Sequence, residues 1–100
     1  MSEEKYTAIH KLHKKLTELG IPHTMKRMYE GWQITVPENS NGWNSEGDAV
    51  QHQFSYGNKK NLIELWGFGL EDPIGFLKVN EALEYFVKWH EKQKAGDRNG

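Results

Sequence analysis

Apolar residues in this chain repeat at helical spacing near both ends and at alternate positions in between, and that switch of period leaves few folds open. Tyr6, Ile9, Leu12, His13, Leu16 and Leu19 recur at helical spacing, behind Ser2 as a cap and Glu3 and Glu4 in the first turn, where the helix dipole favours acids. Gly20 and Pro22 end that helix. Toward the other end Ala82, Leu83, Phe86, Val87, Trp89 and His90 form a wide apolar stripe, with Asn80 as the expected cap and Lys88, Lys92 and Lys94 late, where the dipole favours cations.

The middle is extended. Thr24–Tyr29 and Trp32–Val36 flank Glu30-Gly31, and Trp32, Ile34 and Val36 alternate with Gln33 and Thr35, which predicts a β-hairpin. Pro37–Asp48 is polar around a lone Trp43 and predicts an exposed, mobile loop. Ala49–Tyr56 alternates again, with Val50, His52, Phe54 and Tyr56 on one face; a turn at Gly57–Asn61 leads to a strand over Leu62–Trp66. Gly67–Gly75 reads as a loop and Phe76–Val79 as a short extended piece. Strands and helices do not alternate, so the expected fold is α+β: an antiparallel sheet of about four strands in the order α-β-β-β-β-α, with both helices on one face. The expected single domain covers residues 1–94, and 95–100 form a flexible polar tail.

One hundred residues hold one core, and twelve aromatic residues, four of them Trp, supply large pieces for it. A net charge of −1 excludes both a strong nonspecific hold on nucleic acid and an acidic surface imitating it. The lack of cysteine removes disulfides and thiolate chemistry, and the charged stretch Met1–Leu19 offers no signal core or membrane span. A cytoplasmic setting is expected.

Several residue sets carry chemistry only weakly. His10 and His13 are three apart on the first helix but lack a third ligand, so no metal is expected; His13 should flank the buried stripe and His10 should be solvated. Asp48, His52 and Ser55 have the residue types of a hydrolytic triad, yet His52 and Ser55 fall on opposite faces of one expected strand, three positions apart, so no direct hydrogen bond between them is expected. Gly67-Phe68-Gly69 is followed by Leu70-Glu71-Asp72-Pro73 rather than a helix start, so it is no dinucleotide fingerprint, and no cofactor is implied. Lys11, Lys14 and Lys15 would form a modest basic patch with Lys26 and Arg27 if the first helix and first strand adjoin. Tyr56, Trp66 and Phe68 lie near strand ends and close in sequence to Lys59, the combination of stacking surface and cation that holds a nucleotide without a phosphate loop; the alternative is that Trp66 and Phe68 belong to the core.

The run His52-x-Phe54-Ser55-Tyr56-Gly57, then Leu62-Ile63-Glu64-Leu65 and Gly67, then Gly75-Phe76-Leu77 ahead of Ala82-Leu83, resembles a family of small phage- and prophage-encoded proteins of Gram-positive bacteria. Gly20-Ile21-Pro22 and the aromatic after Gly31 are similar too, so the likeness runs from about Leu12 to Trp89. It departs at Lys78-Val79-Asn80, in place of a Thr-Ala-Glu helix start, and at Trp66, in place of a usual Met. The resemblance implies a phage accessory role in the cytoplasm of an infected bacterium and brings no catalytic residues with it. The expectation is a non-enzymatic binding protein that inhibits a host anti-phage defence, first by sequestering a nucleotide signal at His52, Tyr56, Lys59, Trp66 and Phe68. The alternatives are an inhibitor that binds a host defence protein directly, as an anti-CRISPR does, or a small hydrolase using His52. Trp43 is expected to contact a partner, and a twofold homodimer is expected from the exposed sheet face.

Overall fold

The computed structural model describes residues 6–99, so the expected cap at Ser2 lies outside the described residues. Helix α1 (Thr7–Glu18) is followed by strands β1 (Thr24–Met28), β2 (Gly31–Val36), β3 (Gly47–Gln51), β4 (Ile63–Gly67) and β5 (Ile74–Leu77), and by helix α2 (Val79–Asn99). The strands form one antiparallel sheet in sequence order, each paired with the next. The fold is α+β as expected, with a fifth strand where the sequence suggested only a short extended piece. Three glycines and a proline around Ile74–Leu77 hide that strand from a pattern of alternation, and its pairing with β4 shifts register between Ile63 and Leu65.

Helix α1 ends as its sequence dictates. Gly20 takes φ +70°, Gly20 N–H donates to Thr17 C=O and Ile21 N–H to Leu16 C=O, the paired bonds of a Schellman motif, with Ile21 buried beside the turn. Its start is different, because Tyr6 supplies no side-chain cap. Asn61 Oδ1 accepts instead from Thr7 N–H and Ala8 N–H, each at 3.1 Å, and Gln51 Oε1 accepts from Ile9 N–H at 2.8 Å. Side chains more than forty residues away thus satisfy the first helical donors. In α2 the expected cap Asn80 lies inside the helix, and Glu81 reaches back to accept Lys78 N–H at 2.9 Å. The helical backbone continues through 95–99, the segment expected to be a tail.

Register divides the sheet into two faces. Trp32, Ile34, Val36, Ala49, Ile63 and Leu65 point to the helices, where Ile9, Leu12 and Leu16 of α1 and Ala82 and Phe86 of α2 close the core. His10 and His13 exchange their expected places. His10 is half-buried with its ring edge-on to Trp32 at 5.1 Å, whereas exposed His13 contacts the His23 ring, Nδ1 to Nε2 at 2.7 Å. Arg27 lies over the Trp32 ring, 4.8 Å from its centroid, while Lys26 points to the opposite face of the sheet, so the two do not join α1 in one basic patch. None of the described helices is long and apolar enough to cross a membrane.

Candidate functional site

The face turned away from the helices carries Gln33, Thr35, Asp48, Val50, Glu64 and Trp66, and most of them are buried although no helix covers them. The loops around them form a pocket of about 780 Å³. Its floor is acidic. Asp48 and Glu64 are diagonal neighbours on β3 and β4, and only 9% and 5% exposed. Gln33 Nε2 donates to Asp48 Oδ2 at 2.7 Å, and Asp48 Oδ1 takes no hydrogen bond from the described residues. Glu64 uses both oxygens: Oε1 accepts Tyr56 N–H at 2.7 Å and Oε2 accepts the Trp66 indole N–H. One buried carboxylate therefore fixes two aromatic residues of the wall, one through its backbone and one through its ring.

β3 stops at Gln51, five residues before the end of the strand expected from alternation. The chain then makes a tight turn in which Ser55 N–H donates to His52 C=O, and after it a 3₁₀ turn over Asn58–Lys60. Ser55 Oγ accepts His52 N–H at 3.1 Å and donates to His52 C=O at 2.9 Å, so these residues do bond directly, through the backbone of one and the hydroxyl of the other. The His52 ring is not involved; its Nδ1 accepts Phe54 N–H at 3.1 Å. No Ser–His–Asp relay is assembled by this arrangement. The turn gathers His52, Phe54 and Tyr56 at the pocket although they are no longer on a strand.

Tyr29 completes that wall from the β1–β2 hairpin. It occupies the first position of a two-residue turn at φ +54°, a left-handed conformation in which glycine is usual. Its ring meets His52 at 5.0 Å and Phe54 at 5.1 Å, both edge to face. Gly31 begins β2 rather than closing the turn, and the position requires glycine because a Cβ there would lie 1.9 Å from the Gln51 carbonyl oxygen.

The expected site residues separate. His52, Tyr56 and Trp66 come together at the pocket, and Trp43, 98% exposed, stands at its rim. The Trp43 loop is tied by side-chain bonds, among them Asn44 Oδ1 accepting Asn41 N–H at 2.7 Å and Thr35 Oγ1 donating to Ser40 C=O at 3.0 Å. Lys59 does not line the pocket, and neither does any Lys or Arg among the described residues. Phe68 lies on the helix side, 4.9 Å from the Phe86 ring and against Gly47, where a Cβ would sit 2.4 Å from its ring. Consecutive left-handed conformations at Gly67, Phe68 and Gly69 turn it there, away from the stacking place beside Tyr56 and Trp66 and into the core, the alternative place for it. Asp48, Glu64, Gln33 and Tyr29 were missed as a set; the available signal was the parity of Asp48 with Val50 and of Glu64 with Trp66. No group of three or more His, Cys, Asp or Glu among the described residues is placed to hold a metal ion.

Burial raises the Asp48 pKa above its ordinary value, helped by the Glu64 charge and opposed by the Gln33 hydrogen bond. Burial lowers that of His52, against the pull of Glu64. A carboxylate raised in the fold contributes stability at low pH and loses it as pH rises through the folded-state value. Asp48→Asn should therefore gain on the parent in melting temperature as pH rises from about 4 toward 7, the range above the ordinary aspartate value. Parallel melting curves at all pH values would show that Asp48 is not held in this environment.

Comparison with protein-family models, with curated proteins and with solved structures found no match. The phage-family resemblance therefore rests on the motif residues alone.

Proposed function

We propose that this chain is a non-enzymatic binding protein that docks a partner protein on the open face of its sheet. The observation that carries this reading is the composition of the pocket and its rim. Tyr29, Trp43, Phe54, Tyr56 and Trp66 are all large, exposed aromatic residues and all line one opening above buried acidic residues. Rigid aromatic side chains around a pocket are the usual anchors of protein recognition. In the phage setting implied by the motif resemblance, the partner is a protein of the host's defence.

The acidic floor weighs against a nucleotide in this pocket, because Asp48 and Glu64 repel phosphate and no lining cation offsets them. A nucleotide signal keeps one observation in its favour elsewhere. A recess of about 410 Å³ beside α2 combines Phe68, Tyr85 and Trp89 with Lys88 and Lys92.

Trp43→Ala separates the readings. Its side chain is almost wholly in solvent, so the variant should melt within about 0.5 kcal/mol of the parent. Affinity purification from extracts of the bacterial host should retain one protein in stoichiometric amount on the parent and lose it on Trp43→Ala and Tyr56→Ala. Calorimetry with linear and cyclic nucleotides should give no heat of binding. Nucleotide binding abolished by Trp89→Ala, with no protein whose retention depends on Trp43, would move the function to the α2 recess and overturn the docking reading.

A further inference from the structure

We infer that the pocket on the open face takes an arginine side chain of the partner, its guanidinium hydrogen-bonded to Asp48 and stacked on the aromatic wall. This rests on the docking reading above and names the chemistry at its centre.

Charge is the first argument. Asp48 and Glu64 sit within one diagonal of each other on adjacent strands, both more than nine-tenths buried, and neither has an ion-pair partner among the described residues. Two neighbouring buried carboxylates are costly unless a cation reaches them. The open pocket is the route by which one can.

Hydrogen-bonding capacity is the second. Glu64 is occupied at both oxygens by Tyr56 and Trp66, so it contributes charge and shape rather than an acceptor. Asp48 lines the pocket, and with Gln33 Nε2 donating to Oδ2 its Oδ1 is left without a hydrogen bond from the described residues. The matching ligand carries donors, which a quaternary ammonium lacks.

The walls select among donor-bearing cations. A guanidinium is planar, more weakly hydrated than an ammonium and able to stack on aromatic faces while donating in its own plane. Glu64 holds the Trp66 ring directly and Tyr56 through its backbone, so the Trp66 stacking surface, opposite Asp48 on the neighbouring strand, is set before any ligand arrives. A guanidinium fills only part of about 780 Å³, leaving room for the stem of a side chain and its flanking main chain under Trp43. That space fits an arginine on a polypeptide better than a small free cation.

The test uses the folded chain and two neutral-capped probes, N-acetyl-arginine methylamide and its uncharged near-isostere N-acetyl-citrulline methylamide. Titrations are followed by the indole N–H resonances of Trp43 and Trp66 in NMR spectra. The arginine probe should give saturable shifts with a millimolar Kd, and the citrulline probe none. Asp48→Asn should weaken arginine binding about tenfold, as loss of a charge-assisted bond does, with an unchanged far-UV spectrum showing that the fold persists. Equal binding of both probes, absence of saturable arginine binding, or full affinity in Asp48→Asn would each overturn the inference. If the arginine probe fails while partner retention still depends on Trp43, the arginine assignment falls and the docking reading stands. If retention is also independent of Trp43 and Tyr56, both fall.

Discussion

Asn61→Ala should destabilise the fold by about 3 kcal/mol, a large loss for an exposed residue in a surface turn. Asn61 Oδ1 receives three hydrogen bonds, from Thr7 N–H, Ala8 N–H and Gln51 Nε2, the last at 2.7 Å, and Asn61 Nδ2 donates to Thr7 Oγ1 at 2.6 Å. Removing the side chain uncaps α1 and frees the Gln51 amide that holds Ile9 N–H. The backbone adds to the cost, since φ is +57° at Asn61 and alanine tolerates that conformation less well than asparagine. Asn61→Asp keeps an acceptor in place and puts negative charge at the helix start, so it should stay within about 1 kcal/mol of the parent. Urea unfolding followed by circular dichroism measures both variants. An Asn61→Ala midpoint equal to that of the parent would mean that α1 is capped by other groups.

Glu64→Ala should cost about 2–3 kcal/mol and disorder the pocket at the same time. The carboxylate is buried and accepts the Tyr56 backbone N–H and the Trp66 indole N–H, so its loss leaves two donors without their acceptor. Relief of the repulsion with Asp48 offsets part of that cost. Glu64→Gln retains one acceptor oxygen but turns an amide N–H toward the other donor, and should fall between parent and Ala. Denaturant midpoints give the stability order, and a red shift of Trp emission in Glu64→Ala would report release of the Trp66 ring. A Glu64→Ala protein with parental stability and partner binding would show that the pocket walls are held by packing alone.

The elements that announce themselves in the sequence are those whose periodicity is kept by packing on one side. Both helices and the β1–β2 hairpin belong to this class, because Ile9, Leu12 and Leu16 of α1, Ile34 and Val36 of β2, and Ala82 and Phe86 of α2 all meet the same core. β5 was only partly legible, since Phe76 takes φ +59° within it and its glycine neighbour blurs the alternation. The cap of α1 was illegible in principle. Nothing local links Asn61 or Gln51 to Thr7, and only the folded sheet brings them together.

The site shows the same division. His52, Tyr56, Trp66 and Trp43 could be singled out as chemistry-bearing side chains in extended or loop segments, and they converge on one pocket. Phe68 could not be placed, because three successive left-handed residues reverse the direction that strand parity assigns to it. Lys59 is near Tyr56 in sequence, but the 3₁₀ turn at Asn58–Lys60 leaves it off the pocket lining. The acidic floor was hidden because Asp48 looks like the end of a polar loop, and becomes a strand residue only through its pairing with Thr35 and Trp66.

Sheet order also governs how the chain can fold while it is being made. Five strands laid down in sequence order can pair one after another as they leave the ribosome, each closing on its immediate predecessor rather than on a distant segment. The layer behind them cannot keep that schedule. Ala82 and Phe86 of α2 are part of the same buried cluster as Ile9, Leu12 and Leu16 of α1, so the apolar face of α1 waits through the synthesis of the whole sheet for its last neighbour. During translation the nascent protein therefore exposes a half-covered hydrophobic layer until α2 emerges, and that interval is when it is most open to aggregation or capture by a chaperone.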